Sequence, residues 1–204
     1  MIRNIPEEQI RPEKLMKSSD MARLGCNDCK GCSDCCRDRE GAITLDSWDV
    51  RMLKNGLNMD LDRLISSGYI DITLVDGVLL PSLSKKADAD ECIFLQGDGR
   101  CSIHSIRPGI CRMFPIARIY HEDGSFSYFL QEGECRNLTG VKIKISKWLG
   151  TGNTARYEME VRSYHDRLKQ LRTSCAAASS REEIVRLQTD FLKENFFSDD
   201  FVKI

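Results

Sequence analysis

Five cysteines stand within eleven residues, Cys26 to Cys36, in the stretch CNDCKGCSDCC. No other feature restricts the folding of this chain as strongly. Thiols so crowded must be tied to one another, to redox chemistry or to metal. The chain has ten cysteines among 204 residues, so half of them lie in this one stretch. The compartment helps to decide among the three. The first twenty-five residues contain no apolar run resembling a signal peptide. No stretch approaches the ~20 apolar residues that cross a bilayer. The expectation is a cytoplasmic protein with no membrane association. Disulfides are rare in a reducing cytosol, where clustered cysteines are more often metal-binding or catalytic. A formal net charge of −1 gives no general basis for holding a polyanion, so no nucleic-acid partner is expected.

The spacing is C-x2-C-x2-C-x2-C-C, through Cys26, Cys29, Cys32, Cys35 and Cys36. Two thiolates three residues apart reach one ion when the backbone between them turns tightly. Gly31 and the small or polar Asn27, Asp28, Ser33 and Asp34 suit such turns. A structural zinc site usually takes one CxxC from each of two loops. Successive CxxC steps in a single loop are closer to how an iron–sulfur cluster is wrapped. The spacing therefore leans toward iron–sulfur and leaves zinc open. Cys35 and Cys36 add a condition, because neighbouring side chains of an extended segment point to opposite sides. Both can be ligands only if they serve two metals or if the backbone kinks sharply.

Three zones follow along the chain. Residues 1–25 read as a polar lead-in with a short helix, since Leu15, Met16 and Met21 have loosely helical spacing. Residues 26–140 form the cysteine-cluster zone, with nine of the ten cysteines. Within it LDSWDVRMLKNGL reads as a helix, with Asp46 as N-cap and Gly56 as stop, and MDLDRLISSG as a second one ended by Gly68. YIDITLVDGVLLPSL, CIFLQGDGRCSIH and ARIYHEDGSFSYFLQ then read as three hairpins, turning at Asp76-Gly77, Gly97-Asp98-Gly99 and Asp123-Gly124. Residues 141–204 read as helices packed on the same unit. Tyr157, Val161, Tyr164, Leu168 and Leu171 form one apolar stripe, and Ser180 with Glu183 is a capping-box pattern. The expected fold is α+β: an irregular, metal-stapled core of short β-hairpins and a cysteine-rich loop, flanked by helices, with a helical C-terminus.

The loop need not complete a site alone. Cys92 and Cys101 flank the second hairpin, Cys111 follows it, and Cys135 comes just after the third. The candidate metal ligands are thus Cys26, Cys29, Cys32, Cys35, Cys36, Cys92, Cys101, Cys111 and Cys135. Four thiolates around zinc, or around a doubly positive cubane cluster, leave a net charge of about −2. Lys30, Arg37, Arg39, Arg100, Arg107, Arg112 and Arg118 lie near cysteines in sequence, mostly as ordinary surface charges. Arg107, before Pro108, and Arg112, directly after Cys111, are the candidates for donors that hold the cofactor's thiolates in place. Cys175, in TSCAAASS, reads as a plain helix residue, and His104 is a weaker candidate nitrogen ligand.

CKGCSDCC, followed by CIFLQGDGRCSIHSIRPGICRMFP, closely resembles the CxxCxxCC cysteine-cluster family, also called YkgJ-like. The resemblance spans residues 26–136. Its pattern falls on Cys29, Cys32, Cys35, Cys36, Cys92, Cys101, Cys111 and Cys135, with Arg107, Pro108, Arg112 and Pro115 between the later cysteines. Cys26 lies just outside it. The resemblance implies chelation of zinc or iron, with eight cysteines sufficient for two four-ligand sites or for one site plus free thiols. It also implies an alliance with flagellin lysine N-methylases. On that alternative the chain would be an S-adenosylmethionine-dependent methyltransferase with a protein substrate.

The residues give that alternative little independent support. No glycine-rich loop follows a strand, and the G-x-G of WLGTGNTARY follows an expected helix and reads as a helix stop. A thiol–disulfide oxidoreductase would need its CxxC at a helix N-terminus after a strand, whereas Cys29 and Cys32 run into further cysteines. With His104, His121 and His165 the only histidines, imidazole catalysis has few candidates. A metal- or electron-carrying module and a zinc-stapled adaptor need only the cysteines. Whether the chain is an enzyme stays open at this level.

Overall fold

Tyr157, Val161, Tyr164, Leu168 and Leu171 are buried along one face of the longest helix, Thr154–Ala177, and that face joins two apolar clusters. The computed structural model describes residues 10–26, 32–37 and 41–197. Cys29, Lys30 and Arg39 lie outside the described residues, as do residues 1–9 of the lead-in. In chain order the elements are β1 (Met21–Arg23), β2 (Ile43–Thr44), α1 (Ser47–Leu57), α2 (Leu61–Ser66), β3 (Ile70–Val75), β4 (Val78–Leu83) and α3 (Gly109–Met113). They continue with β5 (Ile116–Tyr120), β6 (Phe126–Leu130), β7 (Lys142–Lys144), α4 (Ile145–Leu149), α5 (Thr154–Ala177) and α6 (Arg181–Leu192). The fold is α+β with a helical C-terminus. The strands of the described residues form three small antiparallel sheets, ordered β1-β7, β2-β4-β3 and β5-β6. Among the described residues no helix is long and apolar enough to cross a membrane.

Local chemistry accounts for most of these elements. Asp46 caps α1 by accepting from the Asp49 N–H at 2.8 Å, while the Asp49 carboxylate accepts from the Asp46 N–H in return. Asp76 and Gly77 have φ of 48° and 80°, the left-handed pair of a tight hairpin turn, and bring β3 and β4 into register from Ile70↔Leu83 to Val75↔Val78. Ser180 caps α6 through the Glu183 N–H.

Three local expectations need correction. The lead-in has a 3-10 turn at Pro12–Lys14 and then β1, not a helix through Leu15, Met16 and Met21. Met16 instead pairs by backbone with Tyr128, and β1 pairs with β7, so partners more than a hundred residues away override the local spacing. Gly56 lies inside α1, and Asn58 ends the helix in a left-handed conformation. A Cβ on Gly56 would run into Ile106, so the glycine serves packing rather than termination. The Gly97-Asp98-Gly99 segment makes a closed turn without strands, held by a single Leu95↔Cys101 bridge and a Gln96 N–H to Arg100 carbonyl bond of 2.8 Å.

The first apolar cluster gathers Leu45, Leu53, Leu64, Ile70 and Leu80 beneath Tyr164, Leu168 and Phe191. The second gathers Leu24, Trp48, Ile116, Tyr128 and Leu149 around Tyr157 and Val161. Ile110 packs against both. The segment bearing Cys111 therefore lies along the seam between them.

Candidate metal centre

Ser33 has φ 52° and ψ 0°, a left-handed conformation that an L-residue adopts at a cost, and it starts a 3-10 turn over Asp34–Cys36. The Cys36 N–H bonds the Ser33 carbonyl at 2.8 Å, and Arg37 Nε donates to Ser33 Oγ at 2.9 Å. This is the sharp kink that adjacent cysteines need to face one way: their sulfurs are 4.0 Å apart. Two thiolates on one tetrahedral zinc, at bonds of ~2.3 Å, stand roughly 3.8 Å apart, so this separation suits shared ligation.

The loop is tied to the second cysteine segment by backbone. The Cys36 carbonyl accepts the Cys92 N–H at 2.9 Å, which places Cys92 against the loop. The turn closed by Leu95 and Cys101 then brings Cys101 back toward Cys92. Cys111 arrives on α3, whose first N–H, on Gly109, donates to Asp49 Oδ1 at 2.7 Å. A Cβ on Gly109 would collide with the Tyr157 hydroxyl, so α3 approaches the core this closely only with glycine at its start.

Cys35, Cys36, Cys92, Cys101 and Cys111 line one cavity of about 740 Å³. They come from three stretches of chain, and all are free thiols. Their electrostatics are those of a crowded, desolvated donor set. Cys35 is lowered to about 7, chiefly because Cys36 donates its S–H to it, with the Arg107 charge assisting. Cys36 is pushed far up by that same bond and by burial. Burial raises Cys111 strongly, and the neighbouring Cys35 and Cys92 charges raise it further. Cys101 is raised mainly by burial, with Cys92 adding to the rise. A low-dielectric pocket of mutually repelling thiolates is what a cation relieves, so the donor chemistry fits zinc, iron or an iron–sulfur cluster. Among the described residues, however, no three His, Cys, Asp or Glu side chains already stand in the arrangement that holds a single ion.

Cys135 belongs to a different neighbourhood. Its thiol is raised by burial and by the charges of Cys26, Cys32 and Cys35. Thr139, four residues on, ties that stretch back to Gly25 through its N–H, at 2.6 Å, and its hydroxyl, at 3.0 Å. The described cysteines thus fall into two groups, with Cys35 acting on both. Cys175 is on α5, packed against the first apolar cluster, and does not line the cavity.

The flanking charges separate as well. Arg107 lines the cavity, and its Nη1 lies 3.0 Å from His104 Nε2. Arg112 does not line it. Its guanidinium donates to the carbonyls of Ser105, Arg107, Leu149 and Gly150 at 3.1–3.4 Å, clamping α3 to the end of α4. Arg37 pairs with Glu91, beside Cys92. Gly150 ends α4 at φ 59°, so the G-x-G is a helix stop in the structure too. His121 bonds Ser127 Oγ at 2.8 Å and His165 stacks on Tyr120, and neither histidine lines the thiol cavity. Two residues important to the site, Asp49 and Arg118, did not stand out from sequence. The D-S-W-D capping pattern could have signalled Asp49, whereas Arg118 was visible only as one charge among seven.

The raised thiols make metal uptake a competition with protons. Cys36, Cys101 and Cys111 hold their protons more tightly than free cysteine, so binding must expel them. Apparent metal affinity should therefore rise from pH 6 to pH 8 by at least ~100-fold, with more than one proton released per metal. Competition with a chromophoric chelator across this range measures it. A pH-independent affinity would contradict thiolate ligation.

No solved structure matches this fold. A family model does match the sequence, over residues 28–137, which is somewhat more than half of the chain. It is described as "CxxCxxCC: Putative zinc- or iron-chelating domain". The match covers the loop, both cysteine groups except Cys26, and the segment through Arg112. With that coverage, the chain belongs to the CxxCxxCC family.

Proposed function

We propose that this protein carries metal on the cysteines of two neighbouring groups, and that the cavity group holds an iron–sulfur cluster. The observation that carries this reading is the convergence of Cys35, Cys36, Cys92, Cys101 and Cys111 on one cavity from separate stretches of chain. The cavity is much larger than a single ion, and no three described donors are set for one. Spread thiols around such a space suit a polynuclear cluster better than a lone zinc. Cys26, Cys32 and Cys135, with Cys29 between the first two in sequence, form the second donor group. Arg107 steadies the negative charge of the thiolates, and Arg112 fixes the helix that presents Cys111. The cellular role we infer is electron or metal transfer in the cytoplasm. No observation on the fold favours the methyltransferase alternative.

Anaerobic purification with iron, zinc and acid-labile sulfide analysis tests the metal's identity. Iron and sulfide together with broad visible absorption are expected. Colourless protein with stoichiometric zinc would overturn the cluster and leave a zinc-stapled adaptor. Protein folded as described here, yet devoid of metal, would overturn both.

A further inference from the structure

The cavity does not end at the thiols. Its lining also takes in apolar residues such as Ile103, Ile110 and Ile116, together with Arg118, Tyr120 and Gln131. Arg118 is an unusual wall for such a space. Its Nη1 is buried and has no hydrogen-bond partner among the described residues. The guanidinium lies over Phe126 and Tyr157, 5.6 and 5.8 Å from the ring centroids, which fixes its plane but gives its N–H groups nothing to donate to. Asp46 acts on it through space, but that carboxylate is engaged in capping α1. Buried donors in native proteins are satisfied with few exceptions, and an exception on a residue that lines a cavity points to a missing acceptor. The Gln131 side chain lines the same cavity.

We propose that this cavity binds an organic carboxylate, with the carboxylate on Arg118 and an apolar body along Ile103, Ile110 and Ile116 toward the thiols. The charge count selects the class. Of the other cations on the lining, Arg100 pairs with Asp98 and Arg107 stands by Cys35 and His104, so Arg118 with the Gln131 amide matches a monoanion, whereas a phosphate dianion would lack donors there for its remaining oxygens. The cavity of about 740 Å³ is shared with the metal centre at the thiols, and small-molecule sites run from roughly 300 to 1,000 Å³. This goes beyond the metal reading and does not depend on which metal is bound.

Octanoate and octanamide, titrated calorimetrically into the protein as purified, differ in charge but hardly in shape. Octanoate should bind at least ~10-fold more tightly, the effect of one charge-assisted pair in a buried site. Arg118→Leu should abolish that preference while octanamide binding stays as it was. Arg118→Lys should keep part of it. Equal binding of the two ligands, no binding of octanoate, or full preference in Arg118→Leu would each overturn the proposal. So would displacement of octanoate by an equal concentration of inorganic phosphate. The wild-type comparison decides even if neither variant folds. Metal content measured on each sample separates failure of this site from failure of the metal centre.

Discussion

Stripping the metal from the native protein should unfold the cysteine segments 32–37 and 92–113 while α5 and α6 stay packed. The reason is how few backbone bonds hold those two segments. The first has one 3-10 turn, the second has short turns and two isolated bridges, Lys85↔Cys92 and Leu95↔Cys101, and the two are joined by the Cys92 to Cys36 backbone bond with the Arg37–Glu91 ion pair beside it. Thiolate–metal bonds contribute apparent energies of roughly 10–16 kcal/mol in small zinc peptides, comparable to a whole domain's stability of about 5–15 kcal/mol. Tyr164, Leu168, Leu171 and Phe191 keep partners in the first apolar cluster outside those segments, Leu45, Leu53, Leu64, Ile70 and Leu80 among them, so the helices do not need the metal to the same extent. Hydrogen exchange before and after chelation should show protection falling by ~100-fold or more across residues 32–37 and 92–113, and far less in α5. Cys111→Ser should reproduce most of that loss without a chelator. Identical exchange in the two states would mean that the cysteines are not structural ligands.

The second large effect is expected at a residue that touches no metal. Asp49→Ala should cost about 2–4 kcal/mol, because it leaves the buried Gly109 N–H without an acceptor and removes half of the α1 capping box. Since Gly109 starts the helix bearing Cys111, metal retention should fall with stability. Asp49→Asn should cost much less, as its amide oxygen can still accept from Gly109. The pH dependence separates the two roles of the carboxyl. Burial, and then Asp46, hold the Asp49 carboxyl well above the ordinary carboxylate range in the folded protein. The folded state thus binds that proton more tightly than the unfolded chain. The stability this contributes is complete below the unfolded value of about 3.9 and is lost as pH rises through the folded value. Asp49→Asn should therefore look more harmful at pH 4 than at pH 7. Urea unfolding of the two variants at both values measures this, and an Asp49→Ala protein as stable as Asp49→Asn would remove the bond to Gly109 from the account.

Features governed by neighbours in sequence were legible in it. Asp76-Gly77 forms its hairpin because both turn positions take positive φ, and the α5 stripe is buried residue for residue because helical period alone determines which side chains share a face. The family was readable from the cysteine spacing and the R-P-x-x-C-R-x-F-P string, and the family match covers that same region. What was not legible depends on distant partners. The Met16 and Met21 spacing gave no hint that β1 would pair with β7. Cys35 and Cys36 face one way only because Ser33 takes a left-handed turn, which nothing in a Ser-Asp-Cys-Cys string requires. Arg112, directly after a cysteine, looks like a donor to sulfur, yet the end of α4 comes close enough to take its N–H groups as carbonyl partners. Arg118 gains its significance from the cavity beside it, which sequence does not display.

The central claim is that sulfur from these cysteines surrounds the metal, and X-ray absorption at the edge of whichever metal copurifies tests it most directly. A first shell of sulfur alone at ~2.3 Å is predicted, with an additional metal–metal distance if a cluster is present. A shell dominated by nitrogen or oxygen would contradict the account.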